Sequence, residues 1–324
     1  FKETEAYSVC GRMDPGEKRV LVVAWAGNTA RAFARACSDN DIPWLLSVPE
    51  ENIDALWFEH PLSDCVKLIS PVKGGDYFDA IHLSNLALCS GRFFAEGGAK
   101  NIARRDGMAT TVLSAVSHIG SIPDYYFQAV GSGTGAIAAW EANLRFIGDG
   151  RFGSNKMKLI VSQNAPFLPM YKAWKADSRE MLPYDDDQAR VDAEIIDAKV
   201  LSNRRPPWGL AGGLYDALKD TDGDVHSVTN EELREAATLF ERTEGVDIYS
   251  AAGVATASLI KAVKEGSIER NKIVMLNVTG GGENHFKDEV KARTGKDLWY
   301  LKPSLVFPLD VDADHVVAGV EKLF

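Results

Sequence analysis

Short, continuous apolar runs alternate with longer stretches of helical spacing along the chain, and this alternation limits the possible folds most. Runs rich in β-branched and other apolar residues predict buried strands at 19–24, 44–48, 65–69, 125–130, 158–162 and 272–278. Apolar residues at helical spacing predict helices at 29–37, 53–58, 77–88, 110–119 and 134–146. Strands that are apolar throughout and separated by helices are typical of a parallel sheet covered on both faces. The sequence therefore predicts an α/β fold.

Charge and composition exclude several classes of protein. The 324 residues carry 36 Lys and Arg against 46 Asp and Glu, a net charge of −10 that disfavours a nucleic-acid partner. The sequence has no apolar run of about 18 residues, so neither a transmembrane helix nor a membrane partner is predicted. The four cysteines form no C-x-x-C pair, which is typical of a reducing compartment such as the cytoplasm. The six histidines lack metal-ligand spacing, so no metal site is predicted.

A glycine-rich segment follows the strand at 125–130 and opens the next helix. It consists of Gly131, Ser132, Gly133, Thr134 and Gly135. Glycines let several backbone N–H groups converge on one anion, and the N-terminus of the helix adds a favourable field. The segment therefore predicts a phosphate site, with a simple packing loop as the alternative, because such strand-to-helix turns are common in α/β folds.

The same segment also satisfies the relaxed dinucleotide fingerprint G-x-G-x-x-G/A, through Gly131, Gly133 and Ala136. That fingerprint requires an acidic residue about 20 positions further on, at the end of the next strand. Here the strand at 158–162 is followed by Gln163-Asn164, which offers no carboxylate. A nicotinamide-dependent oxidoreductase is therefore the weaker interpretation.

Two other strand ends carry polar residues beside glycine. Gly27-Asn28-Thr29 joins the first strand to its helix, at the carboxyl end of the sheet, where ligands bind in open α/β folds. Thr279 follows the last strand and precedes three glycines. Taken alone, the first segment predicts a helix cap and the second only a turn.

Together with Phe1-Lys2-Glu3, these segments match what pyridoxal phosphate requires: a lysine for the Schiff base, a glycine loop for the phosphate, an amide for the ring hydroxyl and a hydroxyl for the pyridine nitrogen. Their order resembles that of the fold type II pyridoxal phosphate enzymes. Within this family the chain resembles the cysteate-forming relatives of threonine synthase. The segments that carry the resemblance are 1–6, 26–34, 131–141, 163–174, 203–213 and 277–282.

The resemblance implies roles for individual residues. Lys2 would be the Schiff-base lysine and the catalytic residue, Asn28 the ligand of the ring oxygen and Thr279 the partner of the pyridine nitrogen. The cofactor phosphate would bind to Gly131, Ser132, Gly133, Thr134 and Gly135, and the candidates for binding substrate are Gly27, Thr29, Arg31, Arg204 and Arg205. Family members commonly carry a hydroxyl just before Gly-Asn, where this chain has Trp25-Ala26, so the contact to the substrate carboxylate is not predicted.

The resemblance also implies an activity. Lys2 would remove the Cα proton of O-phospho-L-serine, phosphate would leave, and sulfite would add to the aminoacrylate to give L-cysteate, as in coenzyme M biosynthesis. Threonine synthase, or another β- or γ-replacement synthase of the same fold, is the alternative. The partners would be small anions, which require a locally positive site in a chain of net charge −10. The family further implies a homo-oligomer.

The implied architecture is that of the tryptophan synthase β chain, with two open, mostly parallel sheets covered by helices. We expect residues 1–18 to belong to a large domain with the Schiff-base lysine, residues 19–120 to form a small α/β domain, and residues 121–324 to form the large cofactor-binding domain.

The irregular segment 175–224 predicts a loop-rich excursion. Because fold type II enzymes place a substantial segment before that lysine, we expect this chain to lack an N-terminal segment and to have weak or absent activity by itself.

Overall fold

A computed structural model describes residues 1–23, 27–75 and 77–324, without the side chain of Tyr77. The helices are α1 (Lys2–Gly11), α2 (Asn28–Asp39), α3 (Tyr77–Ala87), α4 (Ile102–Ile119), α5 (Thr134–Asp149), α6 (Pro169–Lys175), α7 (Asp186–Ile195), α8 (Leu214–Asp220), α9 (Asn230–Glu244), α10 (Ser250–Lys264), α11 (Glu283–Thr294) and α12 (Ala313–Val320). The strands are β1 (Val20–Val23), β2 (Trp44–Ser47), β3 (Trp57–Phe58), β4 (Val66–Pro71), β5 (Phe93–Ala95), β6 (Tyr125–Ala129), β7 (Lys158–Asn164), β8 (Asp224–Val228), β9 (Val274–Leu276), β10 (Trp299–Tyr300) and β11 (Leu305–Phe307). Short 3-10 helices span Glu50–Ala55, Gly98–Lys100, Lys199–Leu201 and Glu321–Leu323.

The described residues form two compact units. The lysine unit comprises Lys2–Gly107 and Lys287–Phe324, and the glycine-loop unit comprises Phe1 and Met108–Phe286. This division differs from the predicted bounds of 1–18, 19–120 and 121–324, above all in the C-terminal segment. That segment belongs to the lysine unit because β11 pairs in parallel with β4 and α12 packs against α3.

A parallel sheet in the order β11-β4-β2-β1-β5 forms the centre of the lysine unit. Strand β1 is buried along its whole length, since its side chains point alternately to two apolar clusters. Leu21 and Val23 pack in the cluster that contains Phe33 of α2, whereas Val20 and Val22 pack in the cluster that contains Leu83 of α3. Both faces of the sheet are thus covered, which explains why β1 is apolar at every position.

A second parallel sheet, in the order β8-β7-β6-β9, forms the centre of the glycine-loop unit. Helix α10 packs against β6, β7 and β8, and its buried face consists mainly of small residues that allow close approach to the sheet. Helix α5 contacts β6 and β7, and it also packs against α8. Two parallel sheets with packed helices confirm the predicted α/β class.

Some predicted elements differ from the observed ones. The helix predicted at 53–58 is wrong: a 3-10 helix ends at Ala55, and Trp57–Phe58 then pairs with β10 as a short antiparallel strand. The irregular segment 175–224 contains α7 and α8 between its loops. The end of the first predicted strand at residue 24 and the departure at Trp25-Ala26 lie outside the described residues. None of the described helices is both long and apolar enough to cross a membrane.

Candidate active site

The glycine-rich segment at residues 131–135 joins β6 to α5 and leaves the first turn of that helix open. Gly133 caps the helix with a positive φ of 80°, and among the described residues no side chain forms a cap hydrogen bond there. The first turn contains no acidic residue. A Cβ at Gly133 would lie 2.7 Å from Leu214, and one at Gly135 would lie 2.6 Å from the amide of Gln128. The positive φ therefore favours glycine at position 133, and a side chain at position 135 would displace the Gln128 amide. Thr134 N donates to Ser132 Oγ at a long 3.5 Å, and the start of the helix favours an anion.

Two hydroxyls accompany these N–H groups. Ser132 Oγ lies 2.8 Å from Thr134 Oγ1, so the two side chains are joined by a hydrogen bond. Thr134 is buried and Ser132 is half-buried. The arrangement of N–H groups, hydroxyls and helix terminus fits the predicted phosphate site.

A buried polar network supports this segment and was missed by the sequence analysis. Tyr126 donates to Gln128 Oε1 at 2.5 Å, and Asn277 Nδ2 donates to Tyr126 Oη at 2.6 Å and to Gln128 Oε1 at 3.2 Å. Burial raises the pKa of Tyr126 well above its usual value, so the phenol stays neutral. The network connects β6 to the segment that follows β9.

Thr279 lies in that segment, two residues beyond Asn277, and its side chain is half-buried. The glycines after it hold the backbone in place: Gly280 O accepts from Tyr249 N at 3.0 Å, and a Cβ at Gly281 would lie 2.3 Å from Asp247 O. Since β9 pairs in parallel with β6, Thr279 and the glycine-rich segment follow neighbouring strands at the same edge of the sheet. The structure thus brings these two predicted parts of the site together within the glycine-loop unit.

In the lysine unit, Lys2 and Asn28 are the first residues of two helices, α1 and α2, that pack against each other. Gly27 caps α2 with a φ of 70°, Asn28 is half-buried, and Thr29 is buried. The Lys2 side chain is 29% exposed, and its Nζ lies 3.7 Å from Glu5 Oε2. Burial lowers the pKa of the Lys2 amine below its usual value, and the carboxylate of Glu5 opposes this change.

Glu5 belongs to a second group of residues that the sequence analysis missed, a buried charge cluster formed by Glu5, Glu96 and Arg104. Arg104 donates to both Glu5 oxygens at 3.1 Å and to Glu96 Oε2 at 2.6 Å. A signal for Glu5 does exist in the sequence, because it follows Lys2 at helical i,i+3 spacing. The helix itself was not predicted, so the spacing was not interpreted.

The arginine candidates occupy different surroundings. The Arg31 guanidinium lies 3.2 Å from the centre of the Trp57 ring and donates to Trp57 O at 3.1 Å. Arg204 and Arg205 both contact the carboxylate of Asp186, at 3.8 Å and 3.4 Å. Arg204 is mostly buried, whereas Arg205 is 69% exposed. The structure therefore places these last two side chains in an ion-pair group on α7.

Comparison with known proteins identifies the class to which these segments belong. The family model described as "Pyridoxal-phosphate dependent enzyme" matches residues 1–280 of the chain. The chain therefore belongs to this family of pyridoxal phosphate-dependent enzymes, and its cofactor is pyridoxal phosphate. The match confirms the predicted enzyme class and the fold type II architecture.

Individual relatives give a narrower comparison. The chain is 46% identical to cysteate synthase of Methanosarcina mazei over 290 residues, which are 89% of this chain and 70% of that protein. It is 48% identical to cysteate synthase of Methanocella arvoryzae over 311 residues, with 95% of this chain and 73% of that protein covered. Cysteate synthase of Methanoregula boonei is 44% identical over 324 residues, which are 99% of this chain and 74% of that protein. The resemblance noted from the motifs is thereby confirmed, and the nicotinamide alternative is not favoured.

The described residues fit the cofactor of the family. The uncapped start of α5, the excluded side chains at Gly133 and Gly135, and the paired hydroxyls of Ser132 and Thr134 suit a phosphate group. The Lys2 amine, with its lowered pKa, suits covalent attachment to an aldehyde. The roles of the individual residues remain predictions.

Proposed function

We propose that the protein forms L-cysteate from O-phospho-L-serine and sulfite, with inorganic phosphate as the second product. The Cβ–O bond to the phosphate group breaks and a Cβ–S bond to sulfite forms, so the reaction requires no oxidant or reductant. The observation that carries this proposal is the identity of 42–48% to relatives named cysteate synthase, over 89–99% of the chain. Threonine synthase, the alternative within the fold, is not favoured by these relatives.

Each predicted site residue would have its own role toward the cofactor. The backbone N–H groups and hydroxyls of residues 131–135 would bind the phosphate, and the Thr279 hydroxyl would meet the pyridine nitrogen. Lys2 would bind the cofactor covalently, and the Asn28 amide would bond the ring oxygen. When bound, pyridoxal phosphate supplies an electron sink for the negative charge that develops at the substrate Cα.

The chain's own residues account for the proton movements. The Nζ of Lys2, when it is not bound covalently, would remove the Cα proton of the substrate and later return it. Its lowered pKa increases the fraction of neutral amine, which is the form that can act as a base. Thr279 offers a neutral hydroxyl rather than a carboxylate, so it does not force a proton onto the pyridine nitrogen.

Anionic substrates require positive potential, which a chain of net charge −10 must provide locally. The open N-terminus of α5 contributes such a field. We retain Gly27, Thr29, Arg31 and Arg205 as the proposed substrate contacts. Arg205 would have to exchange its contact with Asp186 for the substrate, since the two side chains lie 3.4 Å apart.

We also propose a homo-oligomer in the cytoplasm. The four cysteines Cys10, Cys37, Cys65 and Cys89 are all free thiols. Free thiols in this number are typical of a reducing compartment, which supports the proposed location.

The decisive experiment measures the product. Protein loaded with pyridoxal phosphate is incubated with O-phospho-L-serine and sulfite, and phosphate release and cysteate formation are followed by colorimetry and mass spectrometry. We expect one cysteate for each phosphate released. Turnover of O-phosphohomoserine to threonine, without turnover of phosphoserine, would overturn the proposal and identify a threonine synthase.

A matched pair of variants tests the role of Lys2. Lys2→Ala is expected to abolish turnover and the visible absorbance of the bound cofactor, because no other group of this chain is assigned to covalent attachment. Lys100→Ala, which removes an exposed lysine of the same unit, serves as the control and should retain both.

A further inference from the structure

A buried cluster of three charges lies beside Lys2, and the proposed reaction assigns it no task. Glu5 is fully buried, Arg104 is 1% exposed and Glu96 is 6% exposed. Such side chains are rarely buried to this degree unless they are paired. The pairing of Arg104 with both carboxylates accounts for this burial.

The three side chains of the cluster carry one net negative charge when all of them are ionised. A buried net charge is strongly disfavoured unless it is compensated. The Nζ of Lys2 lies 3.7 Å from Glu5 Oε2, so a protonated Lys2 adds a positive charge beside the cluster. The charges of these four side chains sum to zero only when Lys2 is protonated.

The packing of α4 on α1 fixes the position of Glu5. A Cβ at Gly107 of α4 would lie 2.2 Å from Thr4 O of α1, so only glycine permits this approach. Arg104, one helical turn earlier on α4, thereby reaches both oxygens of Glu5. A carboxylate held at both oxygens by a guanidinium has little freedom to rotate.

Glu96 anchors the other side of Arg104. Its Oε2 accepts from Arg104 Nη1 at 2.6 Å and from Gly98 N at 3.0 Å, and its Oε1 accepts from Asn101 Nδ2 at 3.2 Å. Successive contacts therefore connect the loop before α4 to Arg104, Arg104 to Glu5, and Glu5 to Lys2. Each contact limits the side-chain movement of the next residue.

We propose that Glu5 is a positioning residue for Lys2: it holds the Nζ at the start of α1 and stabilises the positive charge that Lys2 gains on taking a proton, while Arg104 and Glu96 hold Glu5. The inference rests on the proposed function, because it takes Lys2 as the Schiff-base lysine. It deepens that function by naming the group that makes this lysine an effective proton acceptor. The charged groups that act on the amine are Glu5 of α1, Arg104 of α4 and Glu96 of the preceding loop.

Two substitutions that should shift the pKa of Lys2 in opposite directions test the proposal. Glu5→Gln removes a negative charge next to the amine and should lower the pKa of Lys2 by about one pH unit. Arg104→Gln removes a positive charge and should raise the pKa of Lys2. Both variants lose the same buried ion pair, so a merely structural defect would move the pKa in the same direction in both.

The pKa of Lys2 can be measured without turnover. The full chain, freed of cofactor, is reductively methylated with ¹³C-formaldehyde, and the Lys2 resonance is assigned by its loss in Lys2→Arg and titrated by NMR. Glu3→Gln is the control, because it removes an exposed carboxylate from the same turn of α1 and should leave the Lys2 pKa unchanged. If Glu5→Gln does not fold, Glu5→Asp keeps the charge but withdraws it from the Nζ, and a smaller fall is expected.

Failure of this inference differs from failure of the proposed function. Borohydride reduction of the loaded protein followed by peptide mass spectrometry shows which lysine carries the cofactor. A cofactor adduct on another lysine would refute the assignment of Lys2. An adduct on Lys2, combined with a Lys2 pKa that does not respond to Glu5→Gln or Glu5→Asp, or that moves in the same direction in Arg104→Gln, would overturn the role of Glu5 alone.

Discussion

The Sγ atoms of Cys10 and Cys37 lie 3.8 Å apart, at the contact between α1 and α2. These are the helices that begin with Lys2 and Asn28. The hydrogen bond between the two thiols lowers the pKa of Cys10, whereas the pKa of Cys37 is raised by that same bond and by burial. The pair therefore contains one thiol whose pKa is lowered and one whose pKa is raised.

The first prediction concerns the reactivity of this pair. Cys37→Ala removes the thiol that stabilises the Cys10 thiolate, so the pKa of Cys10 should rise and its alkylation by iodoacetamide at neutral pH should slow several-fold. Peptide mass spectrometry of timed samples measures the rate at Cys10. Cys89→Ala, which removes an exposed thiol, should leave that rate unchanged, and an equal slowing in this control would contradict the assignment.

The second prediction concerns the start of α5. Gly135→Ala places a methyl group 2.6 Å from the Gln128 amide, so the loop must move and the affinity for pyridoxal phosphate should fall by about tenfold or more. Fluorescence titration of the cofactor-free protein measures this affinity.

Helix α5 itself provides the matched control for that experiment. A Cβ at Gly148 would meet nothing within 4 Å, and the residue lies in the last turn of the same helix. Gly148→Ala should leave cofactor affinity unchanged and stabilise the protein by about 0.5–1 kcal/mol. Similar losses of affinity in both variants would show that the effect is not local to the phosphate site.

The third prediction concerns the buried network beneath the site. Tyr126→Phe removes the hydroxyl that joins Gln128 to Asn277, which should lower the free energy of unfolding by about 1–2 kcal/mol. Urea denaturation measures the change. Tyr125→Phe, at the neighbouring and more exposed position of β6, should change stability much less, and a larger loss there would contradict the role of the network.

The fourth prediction concerns pH. Burial lowers the pKa of His226, whose Nδ1 lies 2.9 Å from Ser258 Oγ. The unfolded chain therefore binds a proton more readily at this residue. The stability that neutral His226 contributes is lost as the pH falls below the ordinary histidine pKa of about 6.5 toward the lower folded-state pKa. In His226→Gln this part of the pH dependence should disappear from urea denaturation curves.

His315 is the control, because its pKa is shifted in the opposite direction to that of His226. Its pKa is raised by a hydrogen bond to Asp312, so its contribution is present at low pH and is lost as the pH rises through the folded-state pKa. His315→Gln should therefore alter the pH dependence in the opposite direction. A change of the same sign in both variants would show that a general charge effect dominates.

The sequence predicted those structural features whose physical cause is a pattern of neighbouring residues. Strand β1 is buried on both faces, and so its four residues are all apolar and could be recognised as a central strand. The glycine-rich segment could be recognised because a Cβ at Gly133 or Gly135 would make close contacts, and glycine is the residue type without a Cβ. The order of these segments was sufficient to predict the family.

The remaining features depend on contacts between distant residues. Arg104 and Glu5 are 99 positions apart, and neither residue type reveals that a partner exists. Trp57–Phe58 was predicted as helix, and its strand pairing was not recognised because the partner, Trp299–Tyr300, lies far along the chain. The compact units differ from the predicted domain bounds in the C-terminal segment for the same reason, since the pairing of β11 with β4 has no local signal.

The pairing of β11 with β4 has a consequence for the order of folding during synthesis on the ribosome. The lysine unit is closed by contacts of high sequence separation, such as the hydrogen bond from Ser90 to Glu321 across 231 positions. The whole glycine-loop unit is translated before β11 emerges, and until then β4 presents an unpaired strand edge that other nascent chains could join. The unit that carries Lys2 is therefore completed last, and we expect its completion to be slower and more sensitive to aggregation than the folding of the glycine-loop unit.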